Sequence, residues 1–224
     1  MNKNNYSKSN KKEGFTLLEL IVVMAISVII IGVIYTFFIV NQKSLSRAEI
    51  NSTLQGEAAT IQKEITVIGT QGKGISSMID ALTGSTVTPG GTTYASVGTT
   101  IENGSLKGYS VNSITTQIYS DELTGTTTPY LSGYYTLYLV DVGRSEKKLY
   151  LKNDSDPGTG KLLSSNVVSM SITPLNYQTV ATKTAETFNK APGLQINITL
   201  HMKKGFSDIT YPVTTIVNFR NSNL

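Results

Sequence analysis

The sequence predicts an α+β fold. A long N-terminal helix, membrane-spanning in its first half and amphipathic in its second, packs on a C-terminal antiparallel β-sheet headpiece. Three observations carry this. The run GFTLLELIVVMAISVIIIGVIYTFFIV, Gly14 to Val40, is apolar except for Glu19. An apolar stripe at helical spacing continues past Val40, and the last third of the chain alternates apolar and polar residues.

The run comes first. Leu20 to Val40 is twenty-one residues without a charge, and about 20 residues of helix cross a bilayer core of about 30 Å. Lys3, Lys8, Lys11 and Lys12 precede it, so the excess of cytoplasmic lysine puts the N-terminus inside and the bulk of the chain outside. A cleaved secretory signal would have an apolar region of about 7–15 residues ending in a small-residue site. This run is longer, and NQKSLSRAEI follows it without such a site. Gly32 interrupts the run, either as a tolerated glycine of a membrane helix or as a point of local unwinding.

Beyond Val40, Leu45, Ala48, Leu54, Ala58, Ile61, Ile65 and Ile68 recur three, four or six residues apart among Lys43, Arg47, Gln55, Gln62 and Lys63. That is one stripe on an amphipathic helix. No proline occurs before Pro89, and the Gly-rich IGTQGKG predicts the helix end at Gly69. The expected helix, Phe15 to Ile68, is roughly 80 Å long. The division is therefore 1–14 leader, 15–40 membrane half, 41–68 amphipathic half, and 69–224 connection and headpiece.

Residues 70–132 are rich in Gly, Thr and Ser, as in LTGSTVTPGGTTYASVGTT and DELTGTTTPY. They read as a long connection lying on the sheet, with SLKGYSVNSITTQIY alternating enough for a strand. Then YYTLYLVDVGRSEKKLYLKN gives a strand, a polar turn and a strand, and NVVSMSITPL another. LQINITLHM places Leu194, Ile196, Ile198, Leu200 and Met202 on one face. TYPVTTIVNF places Val213, Thr215, Val217 and Phe219 together, and Pro212 suits a strand start or an edge. The sheet face these residues form has one available partner, the stripe Leu54, Ala58, Ile61 and Ile65.

Composition narrows the function. The 224 residues hold no cysteine, which removes disulfides, thiolate metal sites, a cysteine nucleophile and a lipidated cysteine. The net charge of +4 sits mostly in the leader: four lysines and one glutamate fall in the first fourteen residues, leaving 15 basic and 14 acidic side chains elsewhere. A near-neutral mature chain does not favour a nucleic-acid partner.

With these features in place, KKEGFTLLEL resembles the signature of type IV prepilins and type II secretion pseudopilins: a short basic leader ending in glycine, then Phe-Thr-Leu-[Leu/Ile]-Glu. The resemblance covers about the first forty residues. It implies cleavage by a membrane-embedded prepilin peptidase between Gly14 and Phe15, and N-methylation of Phe15. It further implies that Glu19 neutralises the Phe15 amine of a neighbouring subunit during assembly. The partners implied are other pilin subunits, the peptidase, the pilus assembly platform and the membrane. The subunit is held in the cytoplasmic membrane and then passes into an extracellular filament. Physics points the same way for Glu19, because an ionisable group at the centre of a membrane helix costs about 2.5–3.5 kcal/mol or more and calls for a partner. Phe15, four residues back, is expected on the same helical face and becomes a cation only after cleavage. The alternative is a carboxylate reaching for headgroups at the interface.

Within the family the closest likeness is to minor subunits of the PilW and pseudopilin J type, on the polar helix continuation, the large headpiece and the closing NFRN. A minor pilin acting in initiation or at the tip is the expected role. Competence or secretion pseudopilins, a major pilin and a membrane-anchored enzyme are the alternatives. No catalytic residue, cofactor or metal ligand is assigned. His201, the only histidine, is expected to be solvated on the polar face of its strand. Asp154 and Asp156 in KNDSDPGTGK faintly resemble a calcium loop but lack EF-hand spacing, and a plain hairpin turn is the simpler reading. The N-x-[ST] matches at Asn51, Asn103, Asn153 and Asn197 are of the kind an Asn- and Thr-rich chain produces by chance.

Overall fold

Helix α1 runs from Leu17 to Gln71 in a computed structural model that describes residues 14–82, 84–87, 99–102, 105–120, 130–175 and 191–219. The leader before Gly14, much of the Thr/Gly-rich stretch and the closing Arg220–Asn221 lie outside the described residues. The chain divides into two compact units, Met1–Leu45 and Ser46–Leu224, and α1 contributes to both.

In the first unit the apolar side chains of the run are exposed to their surroundings, and α1 is long and apolar enough to cross a membrane. Two of its hydroxyls, on Ser27 and Thr36, turn inward on their own helix. Ser27 Oγ donates to the Val23 carbonyl at 2.8 Å and Thr36 Oγ1 to the Gly32 carbonyl at 2.9 Å. This back-bonding satisfies a hydroxyl that an apolar medium would leave without a partner. The helix is continuous through Gly32, so the glycine is tolerated and does not unwind the chain here.

The second unit is a sheet closed on one face by the amphipathic half of α1. Among the described residues nine antiparallel strands form it: β1 (Gly72–Asp80), β2 (Thr86–Val87), β3 (Thr99–Glu102), β4 (Ser105–Ser120), β5 (Tyr130–Val140), β6 (Lys147–Asn153), β7 (Lys161–Pro174), β8 (Gly193–Lys204) and β9 (Ser207–Asn218). Seven of them, all but β2 and β3, have seven residues or more. The order is β2-β1-β4-β5-β6-β7-β8-β9, with β3 on β4 and a direct β4–β7 pairing. Strands β4 and β7 touch at Tyr109↔Ile172 and Ser110↔Ser171. Further along, the β5–β6 hairpin separates them.

The stretch expected to be a connection is partly sheet. Ile75 and Met78 of β1 and Val111, Ile114 and Ile118 of β4 are buried in the common core. Strand β4 is the SLKGYSVNSITTQIY segment whose alternation predicts a strand, whereas in β1 register shifts put the buried Ile75 and Met78 three apart, so alternation could not show it. Strands β8 and β9 match the expected faces. Leu194, Ile196, Ile198 and Leu200 are buried, as are Val213, Thr215, Val217 and Phe219. Strand β9 is an edge, with Pro212 inside it rather than at its start. The Thr214 carbonyl, two residues on, is capped by Gln62 Nε2 at 3.1 Å. Positions 212 and 214 share the outward parity, so the missing N–H of Pro212 costs no ladder bond and blunts the edge.

The stripe that meets this sheet is Ile50, Leu54, Ala58, Ile61, Ile65 and Gly69. Leu45 and Ala48 were expected in it, yet both are exposed. At about 100° per residue they fall on the far side of the helix from Leu54. Nor does Gly69 end the helix. A methyl group there would lie 1.8 Å from Val217 Cγ1, so glycine serves a close helix–strand approach, and α1 ends at Gln71 immediately before β1. Polar residues flank the stripe. Glu57 accepts from Ser164 Oγ at 2.6 Å and Asn166 Nδ2 at 2.8 Å, and Glu64 pairs with Lys161 at 2.7 Å, all toward β7. Gln62 reaches β9 on the other side.

Ile61 is fully buried, so Ile61→Ala should destabilise the headpiece by about 2–5 kcal/mol. Leu45→Ala, at an exposed site, should leave it unchanged. Urea unfolding of the detergent-solubilised chain measures both, and equal effects would show that the sheet does not close on this stripe.

Candidate functional site

The start of α1 places the residues singled out at the head of the apolar run. Thr16 is the N-cap. Its Oγ1 accepts the backbone N–H of Glu19 at 3.3 Å, and its carbonyl accepts that of Leu20 at 3.2 Å. Thr16-Leu17-Leu18-Glu19 therefore has the spacing of a capping box, which satisfies donors that helix geometry leaves unpaired. The signal was present in the sequence as S/T-x-x-E and was missed, because the same four residues also spell the signature. The cap also explains why α1 begins at Leu17 rather than Phe15. Phe15 precedes the cap, and the shared-face argument drawn from a helix starting at Phe15 does not hold within this chain.

Glu19 consequently sits in the first turn, where the free N–H groups of a helix favour an anion. Its side chain and that of Phe15 are exposed, Phe15 at 78%. A Cβ added to Gly14 would meet nothing within 4 Å. Among the described residues no packing contact requires glycine there.

The headpiece also brings ionisable side chains together. His201 lies on the polar face of β8, as expected, but it is not solvated. Its Nδ1 is 2.6 Å from Glu146 Oε1 and its Nε2 is 2.6 Å from Asp208 Oδ1, with the side chain 21% exposed. The three residues come from the β5–β6 turn, β8 and β9, and their proximity could not be read from one strand's alternation. The carboxylates occupy opposite edges of the ring, so they share no point from which to bind a cation. Among the described residues no group of three His, Cys, Asp or Glu is placed to hold a metal ion. In the KNDSDPGTGK loop the carboxylates serve the turn. Asp154 Oδ1 accepts from Thr136 Oγ1 at 2.9 Å, and Asp156 Oδ1 from the Gly158 N–H at 3.1 Å. That is a hairpin loop built on Asx-type bonds.

Residues 9–35 match the family model described as the prokaryotic N-terminal methylation motif. Neither a curated protein nor a solved structure matches the chain. The motif supports a type IV pilin or pseudopilin family. Together with the apolar helix it fits a membrane-anchored pilin. The match ends at residue 35, well short of the features behind the PilW and pseudopilin J likeness.

The His201 cluster gives a pH signature. Hydrogen bonds to Asp208 first and Glu146 second raise the His201 pKa, against a smaller opposing effect of burial. A hydrogen bond from Ser145, then one from His201, lowers that of Glu146. A raised histidine contributes stability below its unfolded value of about 6.5, and that contribution is lost as pH rises through the folded value above it. A lowered glutamate contributes above its unfolded value of about 4.3, and that contribution is lost as pH falls through the folded one. The cluster is strongest between these two values. Urea midpoints should therefore drop between about pH 5.5 and about pH 8.5, on the alkaline side of the free histidine. The drop should shrink in His201→Gln. An equal drop in the variant would assign it to other groups.

Proposed function

We propose that this chain is a structural, non-enzymatic minor pilin of a type IV pilus, made as a prepilin and assembled into the filament by helix packing. The observation that carries the reading is KKEGFTLLEL at the head of a helix whose apolar half is left exposed by the described residues. Prepilin peptidase cuts between Gly14 and Phe15 on the cytoplasmic side, and the new Phe15 amine is methylated. Before assembly the subunit is held in the cytoplasmic membrane with its N-terminus inside and the headpiece outside. Glu19 then neutralises the Phe15 amine of a neighbour. The cap supports this role, because it puts Glu19 in the first turn of the helix, close in sequence to the terminus that cleavage would create. Other pilins and the assembly platform are the partners.

The minor role, in initiation or at the tip, rests on bulk. The headpiece unit, Ser46–Leu224, carries a sheet of nine strands on a single helix. A major subunit repeats against thousands of identical copies and favours a compact outline, whereas a subunit used a few times is free of that demand. The likeness to PilW and pseudopilin J subunits fits the same role.

Mass spectrometry of sheared filaments tests both halves. It should find an N-terminal peptide starting at Phe15 and heavier by one methyl group, with the protein present only in traces. A retained leader would overturn the prepilin reading. Dominance of the filament by mass would make it a major pilin instead.

A further inference from the structure

We propose that the tip of the β8–β9 hairpin is a second membrane contact. In this arrangement Phe206 seats in the headgroup layer of the bilayer that holds the N-terminal helix, and Lys203 faces its anionic lipids. This rests on the reading of Leu20–Val40 as the membrane span.

Three observations lead there. The first is composition. A two-residue turn joins Lys204 to Ser207, its first residue Gly205 in the left-handed region at φ +56°. Its second residue is Phe206, 68% exposed at a position that ordinarily takes a polar residue. An aromatic ring beside two lysines is the composition that partitions into a lipid interface, ring at the acyl boundary and ammonium groups among the headgroups.

The second observation is position. A methyl group on Gly205 would lie 3.9 Å from Ser46 Oγ, and Lys204 pairs with Glu49. The tip is thus held against the first residues of the headpiece's share of α1. Val40 precedes Ser46 by six residues, no more than about 22 Å of chain even fully extended. A bilayer that holds the run therefore has its surface within that distance of Ser46.

The third is charge. Lys203 is exposed, and Arg47 stands three residues before Ile50 and seven before Leu54, on the stripe side of the helix. Glu49 balances Lys204 and Asp208 pairs with His201, which leaves Lys203, Arg47 and the apolar ring to give this end a basic, interfacial character. The hairpin is also braced from behind. His201 and Asp208, one on each strand, are bonded to each other, and His201 is bonded to Glu146 as well, so the tip is presented on a tied pair of strands.

The chain has no tryptophan, so Phe206→Trp installs a single fluorescent reporter. The full-length chain is reconstituted into phosphatidylglycerol–phosphatidylcholine vesicles, and flotation establishes that it is integrated. Ile216→Trp is the control, 58% exposed on β9 beside Val217, whose side chain meets Gly69 at the other end of the amphipathic half. The expected result is blue-shifted emission from Phe206→Trp, quenched by lipids brominated near the glycerol. The control should keep a solvent-like spectrum without quenching. Adding Lys203→Glu should reduce the quenching in anionic vesicles but not in pure phosphatidylcholine. A chain that does not float overturns the membrane reading and this inference with it. A chain that floats while both reporters look alike overturns this inference alone. A blue shift that follows protein density rather than brominated lipid would assign the tip to a second copy of the chain and also overturn it.

Discussion

The burial of one helical stripe against one sheet face is the contact on which the headpiece depends. Ile50, Leu54, Ile61 and Ile65 are at most 5% exposed, and each such side chain is worth about 1.5–3 kcal/mol on transfer from water. Ala58 and Gly69 are small for a different reason: they let the helix axis approach the strands, and at Gly69 even one methyl group would collide with Val217. Apolar contact alone would let the helix roll. Glu57 and Glu64 toward β7 and Gln62 toward β9 set its rotation, since a buried Ser164 hydroxyl deprived of Glu57 would lose a partner it cannot replace from water.

That helix is also the one that carries the apolar run, so one element answers to two solvents. In the run every face is apolar, and the Ser27 and Thr36 hydroxyls fold back on carbonyls of their own helix. From Ile50 onward only one face is apolar, and polar residues line its flanks. The change falls between Val40 and Ile50, where Lys43 and Arg47 are the basic residues. An isolated carboxylate belongs to neither regime, and Glu19 is the single acidic residue of the run. Its N-terminal position softens the cost through the free N–H groups of the first turn, yet local capping uses the backbone of residue 19 and not its carboxylate. Leucine there would keep the Thr16 bond. The charge therefore asks for a reason outside the chain, which the proposed pairing with a neighbour's amine would supply.

Much of this was legible in the residues. Alternation in LQINITLHM and TYPVTTIVNF showed β8 and β9 and the faces they bury, because strand period is a local property. The stripe was legible from Leu54 on, and Leu45 and Ala48 were misassigned by accepting irregular spacings that a fixed helical angle excludes. Alternation in SLKGYSVNSITTQIY also showed β4, but β1 was not legible, because its register shifts place Ile75 and Met78 three apart and break the strand period. The His201 pairing was not legible, since Glu146 and Asp208 reach it only through strand order. Thr16 was visible as a capping residue but was read only as part of a signature.

The central claim is that Glu19 is kept in the apolar run to match a neighbour's Phe15 amine. The direct measurement is the amount of Glu19→Ala protein in sheared filaments, normalised to its amount in the membrane. The account predicts unchanged or improved membrane insertion, unchanged cleavage after Gly14, and a sharp fall in filament incorporation. Incorporation of Glu19→Ala at the unmodified level would contradict it.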